Sequence, residues 1–203
     1  MIDHFDLIAS IYDRFIGIQD HTHLKELLEL PTDGWVLDAA GGTGRVSFQF
    51  SSMVGKLVIC DLSHKMLRKA QEKGRLLPVR SHVERLPFAD ETFERILVVD
   101  SFHHFCNQKE AMGDMLRVLK KSGRLVFEEP DINHFAVKFV AVAEKMLLMR
   151  SHFFSPKQIK NMFHNYNVET SIEHDGRFTS WIIVDKIKKT ECANQLNGEM
   201  KNG

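Results

Sequence analysis

Four short apolar runs stand in order along the chain, and each stops on an acidic residue. They are Trp35-Val36-Leu37 before Asp38, Leu57-Val58-Ile59-Cys60 before Asp61, Ile96-Leu97-Val98-Val99 before Asp100, and Leu125-Val126-Phe127 before Glu128-Glu129-Pro130. A weaker run, Pro78-Val79-Arg80-Ser81, lies between the second and third. Apolar runs without polar alternation predict strands covered on both faces, as in a parallel sheet.

Helical patterns fill the intervals. Residues 20–30 put Leu24, Leu27 and Leu28 on one stripe, which Pro31 stops. An apolar helix is expected after Gly44-Arg45. Ser63 reads as the cap of a helix carrying Met66, Leu67 and Ala70, with Gly74 at its C-terminal end. Asn107 and Glu110 have capping-box spacing ahead of Met112, Met115, Leu116 and Leu119, with Gly123 beyond. Ser155-Pro156-Lys157-Gln158 combines an N-cap, a first-turn proline and a reciprocal cap. Then the pattern changes. Val168, Thr170 and Ile172 alternate with polar residues, Asp175-Gly176 signals a tight turn, and residues 178–187 return with Trp181 and Val184. A parallel α/β sheet closed by an antiparallel hairpin is therefore expected.

The chain's 203 residues suit one domain, with a polar tail over 188–203. Lys plus Arg and Asp plus Glu each total 27, so no long-range field recruits nucleic acid or an anionic membrane. The apolar runs are too short to span a bilayer. Residues 1–6 carry acids and no basic stretch, unlike a secretory signal. Cys60, Cys106 and Cys192 lie far apart with no CxxC, which fits reduced thiols in the cytoplasm. His21-Thr22-His23 and His103-His104 are too close for facial ligation from one helix, so no metal site is expected.

Asp38-Ala39-Ala40-Gly41-Gly42-Thr43-Gly44-Arg45 follows the first run. Small residues at Ala40, Gly42 and Gly44 let the backbone turn and approach a ligand. Asp61 ends the next run, where an acid can hold both hydroxyls of a ribose. Together they suggest a nucleoside-containing cofactor, although such turns also occur without ligand and a strand-end Asp can simply cap a helix. A dinucleotide site would want glycine where Ser47 stands and no acid at the mouth of the loop. Asp38 sits there, and a carboxylate repels a diphosphate but suits a cation. S-adenosylmethionine fits, with its ammonium, sulfonium and free ribose diol.

These residues resemble a known family. Residues 36–44 resemble the first motif of class I S-adenosylmethionine-dependent methyltransferases, and residues 58–67 their second-strand motif. Glu84 to Phe93 is similar to their Leu-Pro-Phe segment, and Leu119 to Val126 to their turn into strand five. The Ala-Gly-Gly-Thr-Gly variant is especially like that of the ubiquinone/menaquinone biosynthesis C-methyltransferases and other type 11 methyltransferases. The resemblance implies a doubly wound, Rossmann-like, seven-stranded sheet over 1–187. It implies that Asp38 organises the loop near the methionine ammonium, with Ala40 and Gly42 against the methionine. It gives Asp61 the ribose diol, Leu62 the adenine face, and His82-Val83 the adenine edge, where His82 replaces the usual acid. Asp100 and Ser101 would line the junction with the substrate. Tyr12, in a lid over 1–31, would close on the cofactor or be a buried core tyrosine. Apolar residues of 131–154 would cap the substrate or belong to the core. The quinone enzymes differ where this chain has Ser101-Phe102-His103-His104-Phe105.

Methyl transfer is chiefly a matter of holding a nucleophile in line with the methyl group, with a base where a proton must leave. His103 and His104 are the candidate bases, or else residues that cap or pack the next helix. The leading expectation is methyl transfer to a small-molecule acceptor, with an aromatic or quinone-like compound as the candidate. The alternatives are a nicotinamide-dependent oxidoreductase and a non-catalytic S-adenosylmethionine-binding protein.

Overall fold

Each apolar run becomes a strand because its alternate residues have somewhere dry to go on both sides. The computed structural model describes residues 21–130, 152–176 and 179–188. Seven strands form one sheet: β1 (Thr32–Ala39), β2 (Val54–Asp61), β3 (Leu77–Arg80), β4 (Phe93–Val99), β5 (Leu119–Pro130), β6 (Val168–His174) and β7 (Thr179–Lys186). Their order is β3-β2-β1-β4-β5-β7-β6. The first five pair in parallel, and β7 runs antiparallel to both β5 and β6. The doubly wound sheet with its closing hairpin is as expected.

Side chains sort by the strand period of two. Leu37, Val58, Ile96, Val98, Leu125, Phe127, Ile182 and Val184 enter one core. Val36, Leu57, Ile59, Leu97, Val126, Trp181 and Ile183 enter the other. Helices α3 (Gln108–Val118) and α4 (Pro156–Met162) cover the first face with Met112, Met115, Leu116 and Ile159. Helices α1 (Thr22–Leu27) and α2 (His64–Glu72) cover the second with Leu24, Leu27, Leu67 and Ala70. Covering both faces is why these strands read as unbroken apolar runs.

Most local caps form as expected, but the Asn107–Glu110 capping box is only half made, because the Asn107 N–H donates to Glu84. The Ser63 hydroxyl accepts from the Met66 N–H at 3.2 Å, and Gly74 takes a left-handed φ of 82° just past α2. The Asn107 side chain accepts from the Glu110 N–H. Ser155 and Gln158 form both halves of a capping box. In the hairpin, the Thr179 N–H donates to the Asp175 carboxylate at 3.0 Å, and Gly176 is left-handed.

Three expectations need correction. Among the described residues, helix α1 covers only Thr22–Leu27 of the anticipated 20–30. The helix anticipated after Gly44 is a single 3-10 turn over Ser47–Phe50. Ser47-Phe48-Gln49-Phe50-Ser51-Ser52 offers only modest helix formers, so one turn suffices to reach β2. Finally, α3 ends at Val118 and Leu119 opens β5. The Lys186 ammonium reaches from β7 to the carbonyls of Leu116 and Leu119 at 2.8 and 2.7 Å, and so ends the helix from outside.

Candidate cofactor and active site

The acids that end the runs gather at the carboxyl edge of the sheet, the usual ligand edge of open α/β folds. Here β1 lies between β2 and β4, so the chain winds away from β1 in both directions. The loop after β1 sits at that switch point.

Three residues of the loop are left-handed: Ala40 at φ 59°, Gly42 at 57° and Gly44 at 67°. Ala40 bears a side chain in a conformation that costs about 1–2 kcal/mol. The Gly41 N–H donates to the Cys60 carbonyl and the Gly44 N–H to the Gly41 carbonyl, which closes the turn. Any side chain at Gly41 would run into the Asp38 carboxyl, whereas one at Gly42 would meet nothing within 4 Å. The loop is thus packed beneath and open above.

Asp61 ties the loop to α2. One carboxylate oxygen accepts the Gly42 N–H at 2.9 Å and the other the Ser63 N–H at 2.8 Å. A carboxylate oxygen accepts more than one hydrogen bond, so this pose is compatible with a diol. Next to it, Leu62 is left 40% exposed, an apolar side chain held in water beside the acid. Asp38 is buried beneath the loop. Burial pushes its carboxyl up to about 7, opposed by the Ser47 hydroxyl and Lys73 and reinforced by Asp61. The Lys73 ammonium also donates to the Thr43 carbonyl at 2.8 Å.

The adenine-edge pair divides. His82 is exposed, whereas the Val83 side chain lies in the core. The nearby acid is Glu84, which accepts the Cys106 and Asn107 N–H groups at 3.0 and 3.2 Å and so anchors the start of α3. The Leu-Pro-Phe segment is fastened by Arg117, which donates to the Leu86 and Phe88 carbonyls and pairs with Asp90 and Asp114.

Beyond β4, Asp100 is exposed and left-handed at φ 49°, its N–H bonded to the Glu128 carbonyl. Phe102–His104 forms a 3-10 turn. Ser101 is buried, and its hydroxyl finds no hydrogen-bond partner among the described residues. One Glu129 oxygen accepts the Ser101 and Phe102 N–H groups at 2.9 and 2.8 Å, and the other lies 2.6 Å from His103 Nδ1. The His103 ring stacks on Phe153 at 4.3 Å and lies 4.1 Å from the His104 ring. Burial, helped by His103, pushes His104 down to about 3. Glu129 carried no assigned role in the sequence. Its neighbour Glu128 is equally acidic, and only the pairing of Val99 with Glu128 in register shows which of them reaches the turn after β4.

Asp38, Ala40, Gly42, Gly44, Asp61 and Leu62 therefore meet around one loop, with Asp100, His103 and His104 following the strand on the other side of β1. His82 and Val83 follow β3. Tyr12 lies outside the described residues, as do 1–20 of the anticipated lid, 131–151 of the anticipated cap and 189–203 of the tail. Among the described residues, no helix is long and apolar enough to cross a membrane.

Residues 37–127 match the family of methyltransferase domains. The ubiquinone/menaquinone biosynthesis C-methyltransferase UbiE of Escherichia fergusonii is 35% identical over 125 residues, covering 55% of this chain and 50% of that protein. The UbiE of Salmonella arizonae is 34% identical over the same length. The chain thus spans about half the length of the curated relatives it matches. Among solved structures, an Aquifex aeolicus SAM-dependent methyltransferase superposes with a TM-score of 0.72 at 16% identity, covering 92% of this chain and 100% of that one. Haemonchus contortus phosphoethanolamine N-methyltransferase 2, in complex with phosphomonomethylethanolamine and S-adenosylhomocysteine, gives 0.74 at 15% identity, covering 90% and 58%. Residues 37–127 are thus similar to methyltransferase domains, and the seven-stranded sheet has the fold of the solved methyltransferases.

Proposed function

We propose that the chain binds S-adenosylmethionine in the loop after β1 and transfers its methyl group to a small-molecule acceptor. The observation that carries this is the Asp61 carboxylate, held by the N–H groups of Gly42 and Ser63 beside the exposed Leu62. The donor set fits the cofactor: an acid for the ribose diol, an apolar side chain for the adenine face, a glycine with open space above it, and Asp38 for the ammonium. The cofactor supplies an activated methyl group on a sulfonium. The protein's part is to orient, to exclude water and to manage the acceptor's proton.

An aromatic or quinone-like acceptor is supported by the likeness to the ubiquinone/menaquinone biosynthesis C-methyltransferases and by the aromatic ring beside His103. Phe153 stacks on the imidazole at 4.3 Å. A nicotinamide dinucleotide fits poorly, since Asp38 lies under the loop where a diphosphate would rest.

Isothermal titration with S-adenosylmethionine and S-adenosylhomocysteine tests the reading. Both bind the native protein, and Asp61→Ala weakens them by about 1.5–3 kcal/mol, the range for hydrogen bonds to a charged group. Failure of the native protein to bind either one, or tight binding of NADH instead, ends this reading.

A further inference from the structure

We infer that Glu129 is a positioning residue that holds His103 as the general base for an acceptor with an acidic hydroxyl, such as a phenol or quinol. This rests on the methyl-transfer reading above. His103 and Glu129 are 3% and 5% exposed and lie 2.6 Å apart, at the carboxyl ends of β4 and β5. Glu129 accepts three donors in all: two backbone N–H groups of the turn that carries His103, and the imidazole itself. The carboxylate therefore fixes the turn and the ring together. An ionised carboxylate only accepts, so Nδ1 carries the imidazole proton and Nε2 keeps its lone pair. Phe153 stacked on the ring, and the bond from the His152 N–H to the His103 carbonyl, restrict the imidazole further. His104 stays neutral under the same burial and is too weakly basic to share the task near neutral pH.

Burying a carboxylate with an imidazole is costly by desolvation unless something is gained from it. Displacement at a sulfonium needs no base when the acceptor is already a free lone pair, as in an uncharged amine. A hydroxyl is different, because its oxygen becomes a good nucleophile only as its proton departs. The buried Ser101 hydroxyl, without a partner among the described residues, adds a polar atom to the same turn. In the step proposed, His103 Nε2 takes the hydroxyl proton, and the acceptor oxygen bonds to the methyl carbon. The carbon–sulfur bond breaks with its electron pair on sulfur, leaving S-adenosylhomocysteine. The imidazolium, stabilised by Glu129, then returns its proton to water.

The test uses the whole protein, 15N-labelled at histidine, with S-adenosylhomocysteine bound. Nitrogen chemical shifts show His103 with a protonated Nδ1 and an unprotonated Nε2. In Glu129→Gln the amide can still accept the two backbone N–H groups but now donates to Nδ1, so the ring changes to the Nε2–H tautomer. S-adenosylhomocysteine affinity stays within about twofold of native, while methyl transfer from S-adenosylmethionine to catechol or 1,4-dihydroxynaphthalene falls by about 10²-fold or more. The falling acid limb of the native pH profile disappears with it. His103→Gln shows the same loss, and the double variant is no worse than either single one. The proposal is overturned by an Nε2–H tautomer in the native protein. It is equally overturned by native turnover and pH profile in Glu129→Gln, or by native protein that binds the cofactor yet methylates neither phenol. Native protein that binds no cofactor would instead overturn the underlying reading, while the tautomer would still report on the pair.

Discussion

Asp38 is where a single side chain is expected to link stability to ligand binding. Burial holds its carboxyl at about 7, against an ordinary value of 3.8. A carboxyl raised in this way favours the folded state when protonated. That contribution is complete below 3.8 and is withdrawn as the pH rises through about 7. Asp38→Asn removes the dependence, so its stability relative to native protein should rise steadily from pH 4 to pH 8 in urea titrations. Binding should run the other way. A cationic methionine group wants the carboxylate, so affinity for S-adenosylmethionine should increase as the pH climbs through about 7. Titrations at pH 6 in buffers of different ionisation enthalpy should show release of up to about one proton on binding. Asp38→Asn should abolish that release. Unchanged affinity and no buffer dependence in native protein would show that Asp38 does not sense the ligand. The acid itself was readable in the sequence, at the mouth of the glycine loop. Its burial was not, because that depends on how the loop after β1 folds over it; nor was the opposing pull of Lys73, 35 positions along the chain.

Elements with local punctuation were readable, and those ended by distant partners were not. Ser63, Ser155 with Gln158, and Asp175-Gly176 act on backbone groups within four residues, so their spacing alone announces them. Helix α3 is the contrary case. Its apolar stripe runs on to Leu119, and Gly123 offers an apparent C-terminal stop. The true stop is Lys186, which binds the Leu116 and Leu119 carbonyls from another strand, 70 and 67 residues away. Lys186→Met keeps most of the aliphatic stem and removes both donors. It should cost about 1–3 kcal/mol, the range for stranding half-buried partners of a charged group. The denaturation midpoint should fall with an unchanged slope. A midpoint equal to that of native protein would show that water satisfies these carbonyls equally well. The pair of His103 and Glu129 escaped the sequence for the same reason. The two residues are 26 positions apart, and only the parallel register of β4 with β5 brings them together.

The whole sheet also decides where a ligand can be felt. The loop after β1, Asp61 at the end of β2 and Asp100 beyond β4 share one edge at the switch point, while β6 and β7 lie at the far side of β5. The sequence showed that acids end the runs, but strand order is a property of crossovers and had to be taken from family likeness. A ligand bound only by the folded state stabilises it by mass action, about 2.7 kcal/mol at a hundred times its dissociation constant. For a chain of this length each kcal/mol raises the melting temperature by about 2–4 °C. S-adenosylhomocysteine at that excess should therefore raise it by roughly 5–10 °C. At equal concentration NADH should leave the native melting temperature unchanged, and S-adenosylhomocysteine should do much less for Asp61→Ala. The protection should also have a place. Amide exchange should slow at Ala40–Gly44 and around Asp61–Ser63, whose N–H groups line or brace the loop, and should stay as it was in the hairpin of β6 and β7. β7 is paired on both sides within the sheet and β6 on one. Slowing spread evenly over both regions would indicate general tightening of the fold, and slowing confined to the hairpin would move the binding site away from β1 altogether.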